Sequence, residues 1–387
     1  MATTVSDIRV LEPEGVSLRK AMREDGRGLL KAASEGAIPD ADTMLAVHRA
    51  MLTTRLLDDR MLKLQRQGRV AFVGTATGQE AAIHASAAAF GADDWIFSAL
   101  REGGVTIQRG MPVREYVAHM FGNAEDTAKG RQMPNHFQCA DVNFPSWSSV
   151  LGTQLPHAVG VAAAMKRRGE GNVVCAYSGD GATSSGGFHA ALNFAGVMKA
   201  PVVFVVIDNG WAISVPSAKQ TAARSYGAKA AAYGMPGFDV DGNDAVAVWQ
   251  ATGEAVARAR AGEGPTLLNL RSYRMGGHSS SDDPTRYRAD EEVEYWAARD
   301  PLARMEAYLA HEGLLDQAAR EAMAESITAE IAEAVTHAET VGPPALESLV
   351  EDVFATPPKH LTRQVVDALR IVADKGEADR VKGAFPL

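Results

Sequence analysis

Two apolar runs joined through a glycine-rich turn constrain the fold of this chain more than any other feature. Val173-Val174-Cys175-Ala176-Tyr177 leads into Gly179-Asp180-Gly181, and small residues continue from Ala182 to Gly187. A helix is predicted from Phe188 to about Met198. The second run, Pro201-Val202-Val203-Phe204-Val205-Val206-Ile207, ends in Asp208-Asn209-Gly210. Both runs are continuous rather than alternating, which predicts strands buried on both faces and therefore parallel neighbours in an α/β fold. A right-handed crossover would set their C-terminal ends side by side. Asp180 and Asn209 are then expected at one edge of one sheet, where open α/β sheets bind their ligands.

The residue types at that edge narrow the ligand. Glycines let backbone N–H groups approach a phosphate closely. Asp180 between them would repel a diphosphate unless a divalent cation intervened, and Mg²⁺ commonly binds through one or two side chains plus substrate phosphates. A Walker A loop is excluded, because Gly186-Gly187 is followed by Phe188 and not by Lys-Ser/Thr. A dinucleotide fingerprint lacks its third glycine, where Ser184 stands, but Asp208 could act as the ribose-binding acid. That reading stays open, as does a glycine-rich turn with a capping aspartate.

Composition sets outer bounds. The chain has 387 residues, 46% hydrophobic and 22% charged, which is ample for a packed core. A net charge of −9 argues against general nucleic-acid or membrane-surface binding. No apolar run is long enough to span a bilayer. Met1 to Lys31 carries acidic residues and lacks the apolar stretch of a secretory signal. Two isolated cysteines, Cys139 and Cys175, make no disulfide framework and fit a reducing cytoplasm. His136-Phe137-Gln138-Cys139 has the local spacing of half a metal site, but no second pair accompanies it.

Along the chain, residues 1–39 have weak periodicity and read as an extension. Asp40 or Asp42 can cap a helix to about Gln67, and Gly78-Gln79-Glu80-Ala81 opens an Ala-rich one. Further helices are predicted over Gln154 to Arg168 and from about Ala245 to Ala261, with a strand at Pro265 to Leu270. From Pro301 the chain is mostly helical and reads as a subunit-contact region. The expected division is 1–39, 40–300 and 301–387.

Several of these stretches carry a resemblance. Gly179-Asp180-Gly181 followed by Asn209 resembles the thiamine diphosphate motif. Leu56-Leu57-Asp58-Asp59-Arg60 through Gly68 resembles the opening helix of two-oxoacid dehydrogenase alpha subunits. Tyr273-Arg274-Met275-Gly276-Gly277-His278-Ser279-Ser280-Ser281-Asp282-Asp283 strongly resembles a loop of the same subunits. The Lys129 to His136 loop is more similar to the branched-chain members. The resemblance spans roughly residues 40–360. It departs at Asp208, where the family usually has Asn, and so adds negative charge near the metal.

The resemblance implies a thiamine diphosphate-binding fold, a parallel sheet flanked by helices. It implies Mg²⁺ held by Asp180, Asn209 and the Trp211 backbone carbonyl. Leu100, Arg101, Ser149, Leu151, Gly179, Gly181, Ala182 and Ile213 match cofactor-contacting positions. Ser148, Thr153 and Gln154 match a potassium site of some relatives. His278 is expected at the reactive end of the cofactor, shuttling protons near neutral pH, with Arg274 beside it steering the acid and the acceptor. The loop carrying both is polar and Gly-rich and is expected to be mobile. The sequence shows no second α/β half, so a beta subunit is expected in an α₂β₂ assembly that serves a lipoyl-bearing acyltransferase core. The implied reaction is oxidative decarboxylation of branched-chain 2-oxoacids of the 3-methyl-2-oxobutanoate type, with reductive acylation of the lipoyl group. Pyruvate is the alternative substrate. A dinucleotide-binding protein, needing neither Mg²⁺ nor a beta partner, is the alternative of a different class.

Overall fold

The computed structural model describes residues 39–351 and 353–375. All but the last residue of the expected N-terminal extension lies outside them. The strands are β1 (Trp95–Phe97), β2 (Val174–Gly179), β3 (Val202–Asp208), β4 (Trp211–Ala212), β5 (Val215–Pro216), β6 (Gly237–Asp241) and β7 (Thr266–Arg271). Five of them form one parallel sheet in the order β1-β2-β3-β7-β6, while β4 and β5 pair antiparallel in a separate ribbon.

The two apolar runs are adjacent strands in parallel register, Val174 opposite Val202 and Gly179 opposite Ile207. Side chains alternate across a strand, and each set reaches its own core. Val203, Val205 and Ile207 join the cluster on one face; Val202, Phe204 and Val206 join the other. Burying each such side chain stabilises the fold by about 1.5–3 kcal/mol.

The helices are α1 (Ala41–Arg66), α2 (Glu80–Ala88), α3 (Gly104–Gln108), α4 (Val113–Phe121), α5 (Gln154–Arg168), α6 (Gly186–Met198), α7 (Ser217–Gln220), α8 (Ala245–Arg260), α9 (Asp290–Ala297), α10 (Pro301–His311), α11 (Gln317–Ala338) and α12 (Lys359–Lys375). Their starts follow capping chemistry. Asp40 accepts from Thr43 N at 2.7 Å before α1, and Ser185 from Phe188 N at 3.1 Å before α6. Helices α5 and α6 pack together on one face of the sheet, while α2 packs against α1 and α8 on the other. Leu302, Leu309, Ile327 and Ile331 belong to the same buried cluster as α1, so the expected division at residue 301 marks no break in the packing. Among the described residues no helix is long and apolar enough to cross a membrane.

Strand β1, helix α4 and helix α9 were not anticipated. Three residues of strand carry too short a pattern to read, and α9 has no buried residue to give it periodicity.

Candidate functional site

Because β2 and β3 end together, Asp180 and Asn209 stand at the same sheet edge, both buried. Asp180 opens the turn after β2, and Gly181 is required there: a Cβ on it would lie 2.8 Å from the Ala212 Cβ. Asn209 is held by backbone pairing that continues past the strands, with Arg274 N donating to its carbonyl at 3.1 Å and Ser272 N to that of Asp208 at 2.8 Å. A cavity of about 460 Å³ opens over this edge, a size typical of small-molecule sites.

The expected residues Leu100, Arg101, Ser149, Leu151, Gly179, Asp180, Gly181, Ala182, Asn209, Trp211, Ile213, Arg274 and His278 all line this cavity. Ser148, Thr153 and Gln154 do not; they lie at and before the start of α5, and Gln154 Oε1 is buried with no partner among the described residues. Sequence reading missed Gln79, His136 and Trp147 on the cavity wall. Gln79 is placed by the start of α2, where Glu80 accepts from Gly78 N at 2.8 Å and pairs with Arg55. Its Oε1 accepts from Asn209 Nδ2 at 2.9 Å, while its Nε2 is buried and unpartnered among the described residues.

Burial and the nearby Asp208 charge raise the Asp180 carboxyl to about 7. A carboxylate so placed gains from a cation. Ser217 Oγ stands 2.6 Å from Asp208 Oδ1 and 3.3 Å from Asp180 Oδ2. Asp208 itself lines a second cavity with Tyr226, Asp239 and Asn269 and is absent from the first. The extra charge therefore reaches Asp180 through Ser217 from behind the site.

Arginines face the carboxylate. Arg101 is buried, donates to the carbonyls of Thr75 and His278, and is lowered by burial to about 10, so it stays cationic. Arg274 is fully buried; it donates to Trp211 O at 3.1 Å, Ile213 O at 2.8 Å and Tyr287 Oη at 2.7 Å. Arg274, expected to steer an acid, clamps the 211–213 loop through the two terminal nitrogens of its fork, while its Nε is buried with no partner among the described residues and the side chain lines the cavity. The Trp211 carbonyl, expected on the metal, already accepts from that fork and keeps one lone pair free.

Ile213 has a φ of +56°, rare for a β-branched residue, and is 52% exposed in the cavity mouth. The clamp and the β4–β5 ribbon hold it there, at a cost of about 1–3 kcal/mol.

His278 was expected to titrate near neutrality. Burial, then Arg101 and Arg274, lower it to about 4, so it is neutral at pH 7. Its loop is anchored to the neighbouring 73–77 segment and within itself. Met275 N donates to Thr77 O at 3.2 Å, Ser280 N to Val73 O at 2.9 Å, and His278 N to Asp282 Oδ2 at 2.6 Å. Gly78, at φ +92°, lets this loop approach: a Cβ would lie 2.2 Å from Tyr273 O.

The donor set fits an anion bridged to the protein by a divalent cation. Asp180 and Asn209 offer hard oxygens, Gln79 Nε2 and Arg101 offer donors, and Leu100, Leu151 and Ile213 offer an apolar flank.

Comparison with known proteins agrees with this chemistry. A family model described as dehydrogenase E1 component matches residues 48–347. The chain is 43% identical over 318 residues to the 3-methyl-2-oxobutanoate dehydrogenase subunit alpha of Mycobacterium tuberculosis, covering 81% of this chain and 82% of that protein. It is 39% identical over 341 residues to the 2-oxoisovalerate dehydrogenase subunit alpha 2, mitochondrial, of Arabidopsis thaliana, covering 88% and 72% respectively. Against the mitochondrial 2-oxoisovalerate dehydrogenase subunit alpha of Homo sapiens it is 35% identical over 380 residues, covering 97% and 85%. A match over most of the chain, with the expected cavity residues brought together at one sheet edge, identifies this protein as a member of the dehydrogenase E1 component family.

Proposed function

We propose that this chain is the alpha subunit of a thiamine diphosphate-dependent enzyme that oxidatively decarboxylates branched-chain 2-oxoacids and passes the acyl group to a lipoyl acceptor. The observation that carries the cofactor reading is the Asp180–Asn209 pair at the ends of adjacent parallel strands, facing Arg101 and Gln79 Nε2, which has no partner among the described residues, across one cavity. The names of the relatives, 2-oxoisovalerate and 3-methyl-2-oxobutanoate dehydrogenases, favour the branched acid over pyruvate.

Asp180 and Asn209 would hold Mg²⁺, with the free lone pair of the Trp211 carbonyl as third protein ligand. Arg101 would offset the diphosphate charge and Gln79 Nε2 would donate a hydrogen bond to it, and Leu100, Leu151 and Ile213 would press on the cofactor's apolar middle. When bound, thiamine diphosphate would supply the nucleophilic carbon and the electron sink that decarboxylation of a 2-oxoacid needs. His278, held neutral, would donate or accept a hydrogen bond at the reactive end without adding charge. Arg274 acts through the loop it clamps. Gln154 Oε1, buried with no partner among the described residues and close in sequence to Ser148 and Thr153, supports a structural K⁺.

A beta subunit completes the site. Exposed Leu151 and Ile213 at the cavity mouth, and Val366, Leu369 and Ile371 on α12, are the kind of apolar surface a partner covers. Delivery to an acyltransferase core, and an α₂β₂ assembly, belong to the same proposal. Two buried free cysteines fit a reducing compartment such as the cytoplasm.

The test is decarboxylation by the chain co-expressed with its beta-type partner, with thiamine diphosphate, Mg²⁺ and an artificial electron acceptor. Preference for 3-methyl-2-oxobutanoate over pyruvate is expected. Preference for pyruvate would overturn the substrate assignment. Inactivity with both, without Mg²⁺-dependent cofactor binding, would return the dinucleotide alternative.

A further inference from the structure

His136 and Trp147 stand on the cavity wall with no part in the functions assigned above. His136 is buried, at 4% exposure, and its ring lies against Trp147 with centroids 4.3 Å apart. Its Nδ1 is 3.0 Å from the Pro134 carbonyl oxygen, and its Nε2 is hydrogen-bonded to Ser149 Oγ. A carbonyl oxygen only accepts, so the ring proton is on Nδ1. In the neutral imidazole Nε2 is then a lone-pair acceptor. Burial lowers the His136 pKa and keeps the ring neutral. The hydrogen on that contact therefore comes from Ser149.

The consequence is polarity. Ser149 sits exposed at the cavity rim with its single O–H committed to His136. Toward the cavity it retains only lone pairs. An acceptor-only hydroxyl repels the carboxylate and keto oxygens of a 2-oxoacid, which are acceptors too. It attracts an N–H group. On thiamine diphosphate the matching group is the exocyclic amino group of the aminopyrimidine.

We propose that His136 is a positioning residue that fixes Ser149 as a hydrogen-bond acceptor toward the cavity, so that this rim selects the amino-bearing end of the bound cofactor. The proposal rests on the thiamine diphosphate reading given above. His136 acts through Ser149 and touches no reacting atom. Trp147 holds the imidazole plane, and the Pro134 carbonyl fixes its tautomer.

The experiment measures binding rather than turnover. The assembled alpha–beta enzyme is titrated calorimetrically, in Mg²⁺, with thiamine diphosphate and with its 4′-deamino analogue. The wild type is expected to prefer thiamine diphosphate. His136→Phe keeps the ring stack but removes the acceptor, and its preference is expected to fall about fivefold to tenfold, the size of one hydrogen bond. His136→Gln, whose Oε1 can accept in place of Nε2, restores most of it. Ser149→Ala, a change at an exposed position, loses the same preference, and adding His136→Phe to it changes nothing further. An unchanged preference in Ser149→Ala overturns the inference even if the Phe variant does not assemble. So does an equal loss of affinity for both ligands in His136→Phe, or a full effect of that change in the Ser149→Ala background. If the wild type binds neither ligand, the cofactor reading falls and takes this inference with it; if it binds both without preference, only this inference falls.

Discussion

Asp208 offers a direct handle on the metal site without touching it. Replacing it by Asn removes a charge behind Asp180 while leaving a side chain that can still accept from Ser217. The Ser217 hydroxyl lies 2.6 Å from Asp208 Oδ1 and 3.3 Å from Asp180 Oδ2. The two carboxylate oxygens are thus within about 6 Å, where unit charges at an effective dielectric constant near 20 interact by about 2.8 kcal/mol. Solvent in both cavities screens part of this, and burial raises the Asp208 carboxyl as well. The Asp180 midpoint, about 7 in the wild type, is expected to fall to between about 5 and 6 in Asp208→Asn. A proton competes with the metal for Asp180, so affinity is lost as pH falls through that midpoint. Between pH 8 and pH 6 the wild-type Mg²⁺ affinity should drop about tenfold, and that of the variant about twofold or less. The assay is Mg²⁺ titration of the assembled enzyme with saturating thiamine diphosphate, each protein normalised to its own value at pH 8. Superimposable normalised profiles would refute the electrostatic link through Ser217.

Other expectations follow from single observations. Arg274→Lys replaces a fork spanning two carbonyls and a phenol by one ammonium; cofactor affinity should fall about tenfold, with faster proteolysis within residues 211–216. Resistance equal to wild type would contradict the clamp. Ile213→Gly relieves a positive-φ strain of about 1 kcal/mol or more but removes the apolar wedge, so Tm should hold or rise while cofactor binding weakens severalfold. A lower Tm with unchanged binding would contradict both halves. His84 is fully buried between Thr54 and Gln108, and burial lowers it to about 4. Between pH 6.5 and 4 the unfolded chain takes up a proton the native state does not, so stability falls with falling pH, by up to about 3 kcal/mol. Denaturant titrations of His84→Gln should show a flatter slope over that window; an unchanged slope would count against the assignment.

What could be read from sequence was what lies in contiguous patterns. The two apolar runs announced β2 and β3 and, through their parallel pairing, the meeting of Asp180 and Asn209. Gln79, His136 and Trp147 carried no local signal that pointed to the cavity, because they reach it only through packing with segments far along the chain. The direction of a side chain was equally hidden. Arg274 reads as a free cation in its loop, yet the fold turns it inward onto the Trp211 and Ile213 carbonyls. His278 reads as a neutral-pH titrator, and only its burial between two arginines removes it from that range. The tail from Pro301 reads as a separate helical region, but Leu302 and Ile331 pack into the α1 core.

The most direct measurement is calorimetric titration of thiamine diphosphate into the assembled alpha–beta enzyme with and without Mg²⁺, for wild type and Asp180→Ala. Saturable binding that requires Mg²⁺ and is lost in Asp180→Ala is the expected result. Binding that persists without a divalent cation, or that survives in Asp180→Ala, would contradict a diphosphate held through the metal at the Asp180–Asn209 edge.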